Sequence, residues 1–213
     1  MRLTKLEHAA LVLEMSGRKL FIDPGSFTTP ITEAMNADAI VITHEHPDHW
    51  TPEQLKRILD KNEGVPIYAP EGVAAAAAAD FDVTVVHAGD TIEVGSYTLR
   101  FFGGAHAVIH ESIPVVDNLG VLVNGTLYYA GDSFVVPEGV DVDLLAAPAG
   151  APWMKIGESI DYVLAVAPRR AFPTHEMVLS AAGKAMSNGR LQWATEQGGG
   201  EFHALEPGDS IDL

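Results

Sequence analysis

The sequence predicts an α+β fold: a four-layer αββα sandwich in which two β-sheets pack face to face and helices cover the outer faces. Two observations favour this arrangement. Stretches with strand character alternate with helical stretches in the first and the last third of the chain. The segment Gly89–Val94 also matches the C-terminal segment Gly208–Leu213 position by position in residue type, as expected for two similar halves. The length of 213 residues fits a single domain over residues 1–213.

The composition excludes several classes of site and partner. The chain has no cysteine, which excludes disulfides, iron–sulfur clusters, thiolate zinc sites and a cysteine nucleophile. Its net charge of -16 gives a surface that repels nucleic acid and anionic lipid. We therefore expect a small-molecule substrate and neither a nucleic-acid nor a membrane partner. The N-terminal residues lack the apolar stretch of a signal peptide, which predicts a cytoplasmic protein, and a homo-oligomer stays open.

The first quarter of the chain is rich in strand signals. Leu6–Met15 and Leu20–Ile22 are apolar stretches on either side of a turn, and they predict a strand pair. Pro30–Met35 predicts a short helix. Ala39–Ile42 is a short apolar run of the kind that a fully buried strand shows, and it leads directly into a histidine-rich segment.

The next elements alternate in type. Thr51 is the predicted N-cap of a helix, Pro52 suits its first position, and Gln54 completes a Thr-x-x-Gln capping box. Residues 71–79 predict an alanine-rich helix. Further along we expect strands between Asp82 and Ala107, a hairpin at Asn124-Gly125, a buried strand at Leu144–Ala147, helices around Ile160–Leu164 and Leu191–Gln197, and a closing strand pair.

The segment His44-x-His46-x-Asp48-His49 is the strongest functional signal in the sequence. His44 and His46 are two residues apart just after a predicted strand, so extended backbone projects both imidazoles to the same side. Pro47 disfavours helical backbone at His46 and thereby preserves that geometry. Asp48 and His49 fall in the turn before the helix, where the chain can direct their side chains toward a second centre. This pattern predicts a metal site built on a loop.

Two metal ions need more ligands than these four residues supply, and His106, Asp132 and His175 have a similar setting. Each of the three lies just beyond the end of a predicted strand, where the edge loops of a sandwich converge. A donor set of imidazoles and carboxylates without thiolate suits Zn²⁺, with Mn²⁺ and then Fe²⁺ as alternatives. The sequence therefore predicts a site for two divalent metal ions.

These positions resemble the metallo-β-lactamase superfamily, whose binuclear hydrolases carry H-x-H-x-D-H followed by His, Asp and His. All seven positions are filled here, and the similarity covers essentially the whole chain. The resemblance implies the αββα fold, with one metal ion on His44, His46 and His106, a second on Asp48, His49 and His175, and Asp132 as the bridge. The segments Glu7–Ala10, Asp23-Pro24 and Trp153–Lys155 most resemble the branch of ascorbate-6-phosphate lactonase-like and uncharacterised metal-dependent hydrolases.

The resemblance also implies a mechanism. Two cations share a hydroxide, because binding to cations lowers the pKa of water from about 15.7 toward 7, and this hydroxide attacks the substrate. Asp132 and Asp48 then have catalytic roles, since Asp132 fixes the metal spacing and Asp48 orients the hydroxide. Asp23 is expected in a turn or beside a ligand imidazole rather than on a metal ion. The candidates for contact with substrate are His8, His110 and Lys155.

The predicted function is hydrolysis of an ester, lactone or related bond in a small molecule. Three alternatives stay open at this point. The same site could cleave a phosphodiester; one iron on His44, His46 and His106 could support an oxygenase or sulfur-oxidising reaction; or the chain could be a non-enzymatic metal-binding module.

Overall fold

Two seven-stranded β-sheets, four α-helices and one short 3-10 helix (Glu176–Val178) make up the computed structural model, which describes residues 1–213. The strands are β1 (Arg2–Lys5), β2 (Leu11–Met15), β3 (Arg18–Ile22), β4 (Ala37–Val41), β5 (Ile67–Ala69), β6 (Thr84–Val85), β7 (Thr91–Val94), β8 (Tyr97–Gly103), β9 (Leu119–Val123), β10 (Leu127–Tyr129), β11 (Leu144–Pro148), β12 (Arg170–Thr174), β13 (Glu201–Phe202) and β14 (Ser210–Asp212). The helices are α1 (Pro52–Leu59), α2 (Glu71–Ala77), α3 (Ile156–Val166) and α4 (Ala181–Gln197). None of the four offers an apolar stretch that could span a bilayer.

The two sheets share one layout. The first has the order β14-β1-β2-β3-β4-β5-β6, antiparallel from β14 to β3 and parallel from β3 to β6. The second has the order β7-β8-β9-β10-β11-β12-β13, antiparallel from β7 to β10 and parallel from β10 to β13. The two matching sequence segments contain the strands β7 and β14, and each of these strands forms the edge of its sheet on the antiparallel side. The matching segments therefore occupy equivalent places in two similar halves.

Three apolar clusters separate the four layers. Successive residues of a strand face opposite sides of the sheet, so Leu20, Ile22 and Val41 join the cluster between the sheets, whereas Phe21 and Ile40 join the cluster beneath α1 and α2. A third cluster lies between the second sheet and helices α3 and α4. The αββα architecture predicted from the sequence is confirmed.

The segment Pro30–Met35 is irregular, so the prediction of a short helix there is wrong. The Gln54 side chain accepts the Ile31 N–H (3.1 Å) and donates to the Thr28 carbonyl oxygen (2.9 Å), which supplies this loop with hydrogen bonds from outside. Because the Gln54 amide is engaged there, the predicted capping box is incomplete. The N-cap itself is confirmed, since Thr51 Oγ1 accepts the Gln54 N–H.

One edge of the sandwich collects the loops that carry the predicted ligands. In the first sheet β1, β3 and β4 run in the same direction, because β2 is antiparallel to both β1 and β3, and β3 is parallel to β4. In the second sheet β8, β10 and β12 run in the same direction, because β9 is antiparallel to both β8 and β10, and β11 is parallel to both β10 and β12. The predicted strand Leu6–Met15 is shorter in the structure: it begins at Leu11, and residues 6–10 form an irregular turn at this edge.

Candidate metal centre

The structure brings all seven predicted ligand residues together at this edge, in two groups. Within each group the potential ligand atoms lie within 4.8 Å of one another. The first group is His44, His46, His106 and Asp132, and the second is His8, Asp48, His49 and His175. His8, which the sequence placed among the candidates for substrate contact, therefore lies beside the predicted ligands.

The first group has distances that fit one divalent cation. His44 Nε2 and His46 Nδ1 are 3.1 Å apart, and His106 Nε2 lies 3.4 Å from Asp132 Oδ2. Tetrahedral zinc with bonds of about 2.0–2.1 Å to nitrogen holds its ligand atoms about 3.4 Å apart. Three imidazoles and one carboxylate at such distances form a donor set that zinc accepts.

The second group is centred on Asp48. Its Oδ2 atom lies 3.1 Å from His8 Nε2, 3.4 Å from His175 Nε2 and 3.9 Å from His49 Nε2. The Asp48 side chain is 23% exposed, whereas the three imidazoles are almost fully buried. Solvent and substrate therefore reach this group from the side of Asp48.

Asp132 lies between the two groups. Its Oδ2 atom is 3.4 Å from His106 Nε2 and 3.2 Å from His175 Nε2, and its Oδ1 atom is 3.2 Å from His49 Nε2. The indole of Trp153 donates a hydrogen bond to the same Oδ2 atom at 2.7 Å. Asp132 thus occupies the position that a bridging carboxylate requires, and its bridging role stays a prediction.

Four of the imidazoles are held by acceptors on the side that faces away from the groups. Such contacts fix the tautomer and the orientation of a metal-binding histidine. The contacts join His49 Nδ1 to Asp23 Oδ2 (2.7 Å), His44 Nδ1 to Thr43 Oγ1 (3.0 Å), His175 Nδ1 to the Gly150 oxygen (2.8 Å) and His106 Nδ1 to the Ala107 oxygen (2.5 Å). Asp23 therefore lies beside a ligand imidazole, as the sequence analysis expected.

The opposite nitrogens of three of these rings are buried close to Asp132 oxygen atoms, yet none of them forms a hydrogen bond. They are the Nε2 atoms of His49, His106 and His175. Leaving a buried polar atom unsatisfied costs about 1–3 kcal/mol, so a protein rarely keeps three at one place without a ligand to use them. The residues present therefore fit divalent cations.

The carboxylates make this site favour positive charge. Burial is the largest single effect and opposes a charge on His49 and His175, but the neighbouring carboxylates together outweigh it. Asp132 and Asp23 raise the pKa of His49 well above its usual value, and Asp132 and Asp48 raise that of His175 to about 9. Burial would raise the pKa of the Asp132 and Asp48 carboxyls, yet the neighbouring histidines hold both below their usual range. A site with this balance accommodates cations readily.

Three of the seven non-glycine residues with positive φ lie in or beside the second group. His8 (φ 60°), Asp23 (φ 48°) and His175 (φ 60°) adopt the left-handed conformation that residues other than glycine rarely occupy. Each such residue costs about 1–3 kcal/mol and persists where its surroundings over-determine it, which is typical of functional sites. The His175 N–H donates to the His8 carbonyl oxygen at 3.0 Å, which joins two of the three.

Trp153 belongs to the site although no pattern in the sequence pointed to it on physical grounds. Its indole is 7% exposed, contacts Asp132 as described, and lies edge-on to His106 and Phe134 with centroid distances of 5.7 and 5.2 Å. In the sequence, Trp153 contributed only to the resemblance to a known superfamily. A single tryptophan in a loop belongs to no residue pattern that would predict which side chain it contacts.

The three candidates for substrate contact occupy different places. His8 is fully buried within the second group. His110 is exposed on the loop after β8, where its Nδ1 atom lies 2.7 Å from Ser112 Oγ, and it belongs to neither group. Lys155 is exposed at the start of α3, two residues after Trp153. Contact of these residues with substrate stays a prediction.

Comparison with known proteins decides the family. A model described as the beta-lactamase superfamily domain matches residues 2–175. The chain belongs to the metallo-β-lactamase superfamily of hydrolases. Protein Rv0786c of Mycobacterium tuberculosis is 39% identical to it over 96% of each chain. A UPF0173 metal-dependent hydrolase of Aeropyrum pernix is 32% identical over 67% of this chain and 64% of its own length.

Solved structures agree on the fold of this superfamily member. Igni18, a metallo hydrolase from Ignicoccus hospitalis, superimposes with a TM-score of 0.74 over 99% of this chain and 97% of its own, at 18% identity. At that identity the likeness shows the metallo-β-lactamase fold alone. The superfamily predicted from the H-x-H-x-D-H segment is thus confirmed.

Proposed function

We propose that this superfamily member is a binuclear metal-dependent hydrolase that cleaves an ester or lactone bond in a small molecule. The position of Asp132 carries the proposal, because one of its oxygen atoms lies 3.4 Å from His106 and 3.2 Å from His175, histidines of different groups. Two donor groups that share a carboxylate favour two cations over one. The activity named for the Aeropyrum pernix relative, metal-dependent hydrolysis, agrees with this proposal.

The residues would divide between two cations as the resemblance implied. His44, His46 and His106 would hold one, and Asp48, His49 and His175 would hold the other, with Asp132 between them. Nitrogen donors predominate, which favours Zn²⁺ over Mn²⁺. When bound, the cations supply an acidified water molecule and a Lewis acid for the substrate carbonyl.

The protein side chains keep this arrangement rigid. Asp23 holds His49 and Trp153 holds Asp132, so neither ligand has to be reoriented when substrate binds. Preorganised polar groups of this kind stabilise a transition state without a cost of reorganisation. Because His49, Asp132 and the side chains that hold them are buried, the positions of these two ligands are fixed before substrate binds.

Asp48 is placed to orient the attacking water. Its carboxylate is partly exposed on the open side of the second group and can accept a hydrogen bond from that water. The water oxygen bonds to the carbonyl carbon, the carbon–oxygen bond to the leaving group breaks, and the leaving oxygen takes up a proton. The products are a carboxylate, an alcohol and one released proton.

The presence of a second donor group argues against the mononuclear iron alternative, which needs only His44, His46 and His106. A phosphodiester could use the same residues, so substrate assays must distinguish it from an ester. If the chain were instead a non-enzymatic metal-binding module, we would expect no turnover of any substrate.

The test is a substrate panel assayed with Zn²⁺-loaded and Mn²⁺-loaded protein. We expect turnover of carboxylic esters or lactones, and its loss in Asp132→Ala. Asp161→Ala, which changes an exposed carboxylate on α3, is the matched control and should retain activity. Turnover of phosphodiesters alone would replace the ester proposal, and no turnover of any substrate with either metal would contradict hydrolysis.

A further inference from the structure

Exposed apolar side chains are concentrated around the opening of the metal centre. Thirteen large apolar residues are exposed in the structure, and seven of them lie on the three segments that follow β3, β8 and β12. Met35 lies at the far end of the first segment, two residues before β4, and is set aside, which leaves six. They are Phe27, Val108, Ile113, Val115, Met177 and Val178. Single exposed apolar residues are ordinary, but a group of them beside a polar reactive centre is typical of a binding site.

The loop after β8 is anchored directly on the metal centre. The His106 N–H donates to the Val116 oxygen (3.0 Å), and the Ala107 N–H donates to the backbone oxygen of Asp132 (2.8 Å). These bonds close the base of the loop against two predicted ligands and leave residues 107–115 projecting beyond it. We name residues 107–115 the apolar flap.

The apolar flap exposes aliphatic side chains on both sides of its turn, while the turn itself begins with the exposed polar residues His110, Glu111 and Ser112. Val108 is 63% exposed and Ile113 is 43% exposed, although a short turn with a hydrogen bond from the Ile113 N–H to the His110 oxygen orders the tip. Since the base is fixed to ligand residues, the aliphatic side chains stay near the reactive centre. They can therefore contact a substrate whose scissile bond lies at the metal ions.

Phe27 and Met177 supply apolar surface from the other sheet and from the loop after His175. The Phe27 ring packs edge-on against His8 of the second group with a centroid distance of 4.9 Å, and it is 46% exposed. The Ser26 N–H donates to the Pro47 carbonyl oxygen, and this bond fixes the loop of Phe27 against the H-x-H-x-D-H segment. Met177 follows His175 by two residues and is 48% exposed.

The charge of these loops indicates the kind of substrate. Residues 104–118, 24–29 and 175–180 contain no Lys or Arg, and the whole chain has a net charge of -16. An anionic group would find no basic partner on these three segments, since the exposed Lys155 lies at the start of α3 instead, whereas an uncharged alkyl chain would bury apolar surface on both sides.

We propose that the substrate is an uncharged ester or lactone with a long alkyl chain, and that this chain binds between the apolar flap and the surface formed by Phe27 and Met177. This proposal rests on the proposed function, because it assigns a substrate class to the same site. The ester bond would lie at the metal centre, and water would cleave it to release a fatty carboxylate, an alcohol and a proton.

The first test is a chain-length series of p-nitrophenyl esters, from acetate to decanoate, with Zn²⁺-loaded protein. We expect kcat/KM to rise by about fourfold for each methylene that becomes buried, until the chain outgrows the site. The double variant Val108→Ser/Ile113→Ser should flatten the series. Met186→Ser, which changes a more exposed apolar residue on α4, is the matched control and should leave the series unchanged. A series that is flat in the wild type would overturn the proposal.

The second test does not depend on turnover. Calorimetry compares binding of octanamide and acetamide, which are uncharged and resist hydrolysis, to variants whose zinc content and thermal stability match the wild type. We expect octanamide to bind more tightly, and the flap variant to lose that preference. Preference for octanamide without ester turnover would support the apolar site and contradict the proposed function. Equal binding of both amides together with ester turnover would overturn the apolar site alone.

Discussion

Asp23 fixes His49 from behind: Asp23 Oδ2 lies 2.7 Å from His49 Nδ1, and both side chains are fully buried. The same carboxylate accepts hydrogen bonds from the N–H and the hydroxyl of Thr43, at 2.8 and 2.7 Å. Thr43 directly precedes His44, so one carboxylate at the end of β3 orients the segments that carry ligands of both groups.

Replacing Asp23 should therefore weaken metal binding although Asp23 is not itself a ligand. Asp23→Asn keeps the shape of the side chain and removes the charge that holds the imidazole. We expect zinc affinity to fall by about 10–100-fold, as measured by competition with a chromophoric chelator. Asp143→Asn, which changes a carboxylate paired with Arg170 away from the site, is the control. Equal affinities of the two variants would show that Asp23 does not orient His49.

Trp153 should report metal binding through its fluorescence. Its indole donates to Asp132 Oδ2 and lies against His106, so ions bound at these residues should change its emission. We expect zinc titration to alter tryptophan fluorescence in the wild type and in Trp193→Phe, whose indole is exposed on α4, but not in Trp153→Phe. A signal that survives in Trp153→Phe would mean that another tryptophan senses the metal ions.

The buried ion pair between Lys5 and Glu176 lies next to the predicted ligand His175. Lys5 and Glu176 pair with side chains that are 0% and 1% exposed, and Glu176 directly follows His175. Lys5→Met leaves a buried carboxylate without its partner, so we expect a loss of about 3–5 kcal/mol in the free energy of unfolding, measured in urea.

Two variants control that experiment. Lys184→Met removes the cation of the more exposed pair with Glu206, and it should cost only about 0–1 kcal/mol. The double variant Lys5→Met/Glu176→Gln should recover part of the loss, since no unpaired charge remains buried. Similar losses in Lys5→Met and Lys184→Met would refute the special role of the buried pair.

Gly25 is required by close packing against the motif. A Cβ atom at this position would lie 1.8 Å from the backbone oxygen of Asp48, and backbone there cannot move without displacing His49. Gly25→Ala should lower both thermal stability and zinc affinity. Gly189→Ala, at an open position within α4, should instead stabilise the protein by about 0.5–1 kcal/mol. Wild-type zinc affinity in Gly25→Ala would contradict this reading of the contact.

The sequence predicted the layers from its strand and helix signals. It predicted the meeting of the seven donor residues from the H-x-H-x-D-H segment, from the places of His106, Asp132 and His175 just beyond strand ends, and from the resemblance to a known superfamily. Their close approach also depends on the direction in which each strand runs, which the pairing of distant strands decides.

Other features depend on contacts that no local pattern encodes. The turn at residues 6–10, with His8 in a left-handed conformation, was hidden within an apolar stretch that predicted continuous strand. Pro30–Met35 reads as helix locally, yet Gln54 supplies its hydrogen bonds from another element. The role of Trp153 and the exposure of Val108 and Ile113 likewise arise only when distant loops are placed side by side.

The number of metal ions bound per chain tests the binuclear site most directly. Protein stripped with a chelator is dialysed against Zn²⁺ and its zinc content is measured by mass spectrometry against protein concentration. We expect about two zinc ions per chain in the wild type and one or none in Asp132→Ala, because a bridging carboxylate serves both ions. One ion per wild-type chain, or two in Asp132→Ala, would contradict a binuclear site bridged by Asp132.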